Sequence, residues 1–310
     1  MAECFHPQSI RLPDGREQVV RCNKCLACLE HRQAGWIARL SSEFDSYPEG
    51  VYFVTLTYDD EHLPTKEVSP GEFLPAISYS DIKKFHADLR KRFQQGFFLD
   101  RTLQSVGWSS EPDRIELPEC HFKYYVTSEY GPNGTRRPHF HGFYSNMLED
   151  EDVVFDLFQS VWGKGFVTCE KGKSEACAAY VSKYLVNDHL VPYDERLPKP
   201  RAWISKGLGK YYLDDEEIIA WHREAPIEHQ FVMQNGRKGI LPRYWRDKIY
   251  DDSMRADIVD DCLRRDVLRS HSVDSMSDSE LRRYNQSERH RQEELYRQAL
   301  WHFQRRQKLK

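Results

Sequence analysis

His139 and His141, in the run Arg137-Pro138-His139-Phe140-His141-Gly142-Phe143, are the residues best placed by type and spacing to do chemistry. Side chains at i and i+2 of a strand share a face. The two imidazoles then point one way, and Phe140 points into the opposite layer. Paired imidazoles on a rigid strand are half of a divalent-metal site, although a pair of core or exposed histidines has the same spacing. Glu129 closes the preceding strand-like run, and Gly131-Pro132-Asn133-Gly134 is a turn signal that brings it back beside the histidines. It is the candidate third ligand; Asp59 and Glu61, just past an earlier strand, compete for that place. Oxygen with imidazole suits Mg²⁺ or Mn²⁺, the imidazoles leaning toward Mn²⁺.

A second group is Tyr180-Val181-Ser182-Lys183-Tyr184. If residues 174–186 are helical, Tyr180 and Tyr184 lie at i and i+4 on one face, with Lys183 in reach. A phenol with a pKa of about 10 is a weak nucleophile until a cation or base helps remove its proton. A nearby metal would polarise a phosphate and offset developing charge. A tyrosine face packed on a sheet has the same pattern, so the spacing alone leaves both readings open.

Among eight cysteines, Cys22, Cys25 and Cys28 form a Cys-x-x-Cys-x-x-Cys run, with Cys4 upstream. Such a cluster in a reducing compartment reads as metal binding before disulfide. Four thiolates fit structural Zn²⁺; an iron–sulfur ligand pattern and free reduced thiols are the alternatives. With zinc, the knuckle would brace the following helix, with Arg32 and Arg39 against DNA. Gly172-Lys173-Ser174 is not a nucleotide-binding loop, because position 167 is valine where that motif needs glycine.

These residues need a scaffold. Val51–Tyr58 is β-branched and aromatic and predicts a strand. Ser80 and Asp81 are expected to cap a helix to about Gln95, with Ile82, Phe85 and Leu89 on its apolar face. Strands follow at Phe122–Ser128 and His139–Tyr144, a helix at Asp152–Trp162, a strand at Gly165–Cys169 and a helix at Ser174–Val186. Residues 96–120 read as a loop or insertion. This order predicts an α+β fold with an antiparallel-rich central sheet and flanking helices. Four zones are expected: 1–47, the cysteine cluster and a helix from Leu29 to Phe44; 48–190, the core; 191–250, rich in aromatics, Gly and Pro; and 251–310, a charged helical tail.

A net charge of −4 argues against a protein that coats nucleic acid by bulk positive charge, but not against a local basic cleft. Aromatic content is 13%, enough for base stacking, although most rings are expected to fill cores. No apolar run reaches the length of about 18 residues that a membrane helix needs, and the N-terminus lacks a secretory pattern. Cytoplasm and no membrane partner are the expectations. Basic residues from Arg282 to Lys310 give the tail a surface for DNA or a host protein, or simply a solvated helix.

The strand Tyr52–Tyr58 with Asp59–Pro64, the His-x-His strand and the Tyr-x-x-x-Tyr helix, in this order, resemble the HUH endonuclease superfamily and its two-tyrosine replication initiators. Cys22–Cys28, Ile204–Gly209 and Leu241–Lys248 look like stretches of the replication initiators of Microviridae phages, particularly gokushoviruses. The resemblance covers about residues 1–250. It implies a ferredoxin- or RRM-like palm, His139 and His141 as metal ligands, with Glu129 as third, and Tyr180 and Tyr184 as nucleophiles that form a 5′-phosphotyrosine at the origin. It also implies rolling-circle initiation on single-stranded DNA in the bacterial cytoplasm, with host helicase, polymerase and single-strand binding protein as partners. Some relatives carry a basic residue three positions after the second tyrosine. Here Asn187 and Asp188 stand there, which leaves that phosphate contact to Arg136 and Arg137. The rival readings are a plasmid-type initiator or transposase of the same chemistry, a different metal hydrolase, and a non-catalytic zinc-knuckle binding protein.

Overall fold

A computed structural model describes residues 4–47, 49–95, 97–98, 114–115, 122–131, 136–172, 192–234 and 236–308. The expected helix over 174–186, with Tyr180, Lys183 and Tyr184, lies outside the described residues, as does most of the 96–120 segment. The chain divides into two compact units: Leu40–Gly209, and Met1–Arg39 together with Lys210–Lys310.

The first contains the end of α1 (Leu26–Asp45) and the strands β3 (Tyr52–Tyr58), β8 (Lys123–Tyr130), β9 (Pro138–Ser145), β10 (Gly165–Lys171) and β11 (Ala202–Ile204). Chain numbering is completed by the exposed pair β1 (Gln8–Arg11) and β2 (Glu17–Val20) of the other unit. Two further hairpins, β4 (Thr65–Ser69) with β5 (Glu72–Pro75) and β6 (Phe97–Phe98) with β7 (Arg114–Ile115), also pair off. The central sheet runs β10-β3-β9-β8-β11, and every neighbouring pair is antiparallel. This is the α+β, antiparallel-rich fold expected from the pattern. The fifth strand, β11, comes from the aromatic segment after 190, where three residues are too few to show a period.

One face of the sheet is buried. Tyr52, Val54, Leu56 and Tyr58 of β3, Phe140 and Tyr144 of β9 and Val167 of β10 pack with Ile82, Phe85 and Leu89 of α2 (Tyr79–Gln95) and Val154, Leu157 and Phe158 of α3 (Glu151–Trp162). The Trp162 indole donates to the Thr57 carbonyl at 3.0 Å, tying α3 to the strand beneath it. Gly142 lies where β9 approaches β8 most closely: a Cβ there would stand 2.5 Å from Val126 Cγ2 and 2.9 Å from the Tyr125 carbonyl oxygen.

Two helix starts differ from expectation. Ser78, not Ser80 or Asp81, caps α2, its Oγ accepting from the Asp81 amide at 3.3 Å. Asp81 is occupied elsewhere, accepting from the Tyr58 hydroxyl at 3.1 Å and facing Lys164 at 3.5 Å. The α1 helix begins at Leu26, ahead of the expected Leu29, because the Cys25 carbonyl already accepts from the amides of Cys28 and Leu29.

The second unit places a 3-10 turn at Lys210–Leu213 and α4 (Glu216–Glu224), then pairs β12 (Phe231–Gln234) with β13 (Arg237–Ile240). It ends in α5 (Arg243–Ile249), α6 (Asp252–Asp274) and α7 (Asp278–Lys308). Its core gathers Ala38, Val232, Leu241, Trp245, Ile249, Tyr250 and Ile258. The charged tail is helical as expected but broken in two. Ser277 and Glu280 exchange hydrogen bonds, amide to carboxylate at 2.9 Å and amide to hydroxyl at 3.4 Å, a capping box that starts α7.

Glu43, fully buried on the last turn of α1, holds the sheet unit together. Its carboxylate accepts from Ser145 Oγ at 3.0 Å and the Gly209 amide at 2.7 Å, and faces Lys123 Nζ at 3.3 Å. Removing one partner of a buried charged pair strands the others without solvent. Glu43→Ala is therefore expected to cost about 3 kcal/mol of stability, read as a lowered thermal midpoint, with Glu43→Gln intermediate.

Candidate metal centre on the central sheet

The face opposite the helices carries the polar residues. Register sets them side by side: Glu129 of β8 pairs with His139 of β9, Thr57 of β3 pairs with His139, and Thr55 pairs with His141. Strand alternation puts Glu129, His139, His141, Thr55 and Thr57 on one surface and sends Phe140 into the core, where it is fully buried.

Both imidazoles converge on one carboxylate oxygen. His139 Nε2 lies 2.6 Å and His141 Nε2 2.9 Å from Glu129 Oε1. The side chains are only 11–14% exposed. Each ring is oriented through its other nitrogen. His139 Nδ1 donates to the Arg137 carbonyl at 3.0 Å, and His141 Nδ1 pairs with Thr55 Oγ1 at 2.9 Å. Such partners fix ring tautomer and aim at metal sites. Phe53 stacks parallel to His141 with centroids 5.9 Å apart.

One ligand atom from each of Glu129, His139 and His141 lies within 4.8 Å of the others, so the donor set fits one divalent cation and leaves positions for oxygen ligands. Asp59 is not in this group; its carboxylate accepts from the backbone and ring of His62, each at 2.8 Å. Burial pushes the Glu129 carboxyl up, but hydrogen bonds and charge from His139 and His141 outweigh it and hold it at about 2. Burial pushes His141 down, and His139 adds to this against the pull of Glu129. At neutral pH the cluster therefore contains an ionised carboxylate and a neutral His141 imidazole, the forms that ligate.

Arg137 donates to the Tyr58 carbonyl at 2.8 Å and pairs with Asp60, so its guanidinium ties β9 to the end of β3. Arg136, exposed and at φ 46°, lies over the Tyr193 ring at 4.5 Å. Thr55 and the Arg137 carbonyl were missed as orienting groups. The signal for Thr55 was its place, with Thr57, at the polar positions of an otherwise apolar alternation. Cys4, Cys22, Cys25 and Cys28 come together in the other unit.

The sheet and its three-donor cluster define an α+β protein with a candidate divalent-cation site. Residues 51–189, which include this cluster, match the family model of the replication-associated protein ORF2 type. The chain is 29% identical over 269 residues to replication-associated protein ORF2 of Spiroplasma virus 4, covering 76% of this chain and 72% of that one. It is 24% identical over 241 residues to replication-associated protein VP4 of Bdellovibrio phage phiMH2K, covering 73% and 66%. No solved structure matches it. The chain carries a replication-associated protein domain of the ORF2 family, and its homologues are viral replication-associated proteins.

The downward shifts carry a sign. A group with a depressed folded pKa stabilises above its ordinary value, and that stability fades as pH falls toward the folded one. For Glu129 the loss runs from 4.5 toward about 2. For a histidine the neutral form is the one favoured by a depressed pKa, so the His141 contribution is likewise lost as pH falls below its ordinary 6.5. The stability difference between wild type and Glu129→Gln should therefore shrink as pH falls from 4.5 to 3, by up to about 1.4 kcal/mol per pH unit. Metal-free denaturant titrations across that range measure it; a constant difference would refute the assignment.

Proposed function

We propose that this chain initiates DNA replication as a site-specific, metal-dependent nickase and strand transferase acting on single-stranded phage DNA. The observation that carries this reading is the convergence of Glu129, His139 and His141 inside the segment that matches a replication-associated family. The names of the two relatives, both viral replication-associated proteins, support it. So does the tyrosine motif of the sequence, Tyr180 and Tyr184 with Lys183, which lies within the matched segment.

In this reading Glu129, His139 and His141 hold Mg²⁺ or Mn²⁺, which when bound polarises the scissile phosphate and offsets charge gathering on its oxygens. Thr55 and the Arg137 carbonyl keep the two imidazoles aimed. One tyrosine hydroxyl attacks the phosphorus as its proton leaves. The bond from phosphorus to the 3′ oxygen breaks, that oxygen takes up a proton, and the 5′ phosphate stays on the tyrosine. The free 3′-hydroxyl is then a primer, and the second tyrosine repeats the attack to release a closed strand. Lys183 places positive charge near the phenolate. Host helicase, polymerase and single-strand binding protein are the partners this role requires, and the host cytoplasm is its place.

The test is a denaturing gel of the protein with single-stranded DNA of its own replicon, labelled at the 3′ end, with Mn²⁺ or EDTA. A metal-dependent shift of label to protein mass, lost in Tyr180→Phe with Tyr184→Phe, is expected. Binding with no adduct on any tile of the replicon would overturn the enzyme reading in favour of a non-catalytic binding protein. Thr55→Val should raise the Mn²⁺ concentration for half-maximal adduct formation about 10-fold or more while saturating metal restores the rate. An unchanged metal requirement would remove Thr55 from the orienting set.

A further inference from the structure

We infer that Cys4, Cys22, Cys25 and Cys28 form a closed four-thiolate Zn²⁺ site that holds the N-terminal hairpin to the first turn of α1. This inference is independent of the nicking reading. The four ligand sulfurs lie within 4.8 Å of one another, although Cys4 and the other three stand on opposite sides of the hairpin in sequence. Cys4 Sγ and Cys25 Sγ are 3.8 Å apart, and Cys22 Sγ and Cys28 Sγ are 3.9 Å apart. A tetrahedron with zinc–sulfur bonds of about 2.3 Å puts its sulfurs about 3.8 Å from each other, whereas a disulfide needs about 2.05 Å.

The backbone is shaped to the sulfurs. Asn23, at φ 60°, turns the chain so that the Cys25 amide donates to Cys22 Sγ at 3.3 Å, and the Cys22 amide donates to Cys4 Sγ at 3.2 Å. Asparagine is among the few residues that tolerate this conformation. Amide donors favour the thiolate form, as does the helix start immediately after Cys25. Arg32 reaches back to the Asn23 carbonyl at 3.0 Å and closes the turn.

The hairpin explains what the metal is for. Every residue of β1 is exposed, β2 alternates exposed and half-buried, and Ile10 and Val19 are 44% and 56% exposed. A two-stranded hairpin with no apolar face is marginal alone. Its other ties include an exposed ion pair, Arg16 with Asp260, of a kind that adds little, and an edge contact of Phe5 with Tyr296. Cys4 precedes β1 and Cys22 follows β2, so a cation on the four sulfurs clamps both ends of the hairpin at once.

The experiment uses the full chain purified without chelator from zinc-supplemented medium. Elemental analysis should find zinc retained through gel filtration. It should persist in His139→Ala with His141→Ala and be lost in Cys25→Ser with Cys28→Ser. Because the loss of four-sulfur ligation can itself unfold the cysteine variant, wild type is also exchanged with Co²⁺. Thiolate charge-transfer absorption in the near ultraviolet and strong visible bands of tetrahedral cobalt are expected. Chelation should expose the hairpin to protease before the rest of the chain. Zinc that follows the histidines instead, an iron-dependent brown chromophore, or metal-free protein whose cysteines all react with a thiol reagent would each overturn the assignment.

Discussion

The register of β9 between β8 and β3 is the constraint on which the site depends. A slip of one residue on either side would turn both histidines into the core and Phe140 out to solvent. The register is enforced from the buried face, where Phe140 and Tyr144 must meet β3 and the two helices. It is also enforced by Gly142, whose missing side chain permits the close approach to Val126. The same register sets Glu129 opposite His139 and Thr55 opposite His141. Apolar packing on one face thus positions polar chemistry on the other, at no separate cost in ordering.

The far end of these strands is secured differently. Ser145 ends β9 and Lys123 begins β8; both meet Glu43, as does the Gly209 amide. Gly207 and Gly209 lie at φ 76° and 72°, which lets that loop turn its amide inward. The Ile204–Gly209 stretch therefore has a structural job: it ends the fifth strand and caps a buried carboxylate. A buried charge satisfied by three partners selects one arrangement of helix, hairpin and loop, because any other leaves the charge without solvent or partner.

How much of this was legible varied with the length of the signal. The His-x-His strand, the apolar stripe of α2 and the β3 alternation each repeat a period, and each element appears where expected. Glu129 was legible because the turn after it fixed where a strand-end carboxylate must return. Glu43 was not, since its partners are separated from it by much of the sheet unit in sequence, and a lone glutamate in a helix reads as solvated. The break at Ser277 was written as Ser-x-x-Glu, yet the polar periodicity on both sides concealed it. Many aromatic residues went where bulk composition suggested: Tyr52, Tyr58, Tyr125 and Tyr144 are all fully buried.

The two ligand clusters differ as their roles require. The carboxylate and two imidazoles of the sheet are hard or borderline donors on a rigid surface, and three of them leave a cation open to further oxygen ligands. The four sulfurs are soft and complete a tetrahedron by themselves, which admits no substrate. Softness also sorts the metals. A cation that prefers oxygen gains little from the thiolates, while zinc is drawn to them ahead of the sheet site. One chain can then hold a structural ion and an exchangeable one in separate units without either displacing the other.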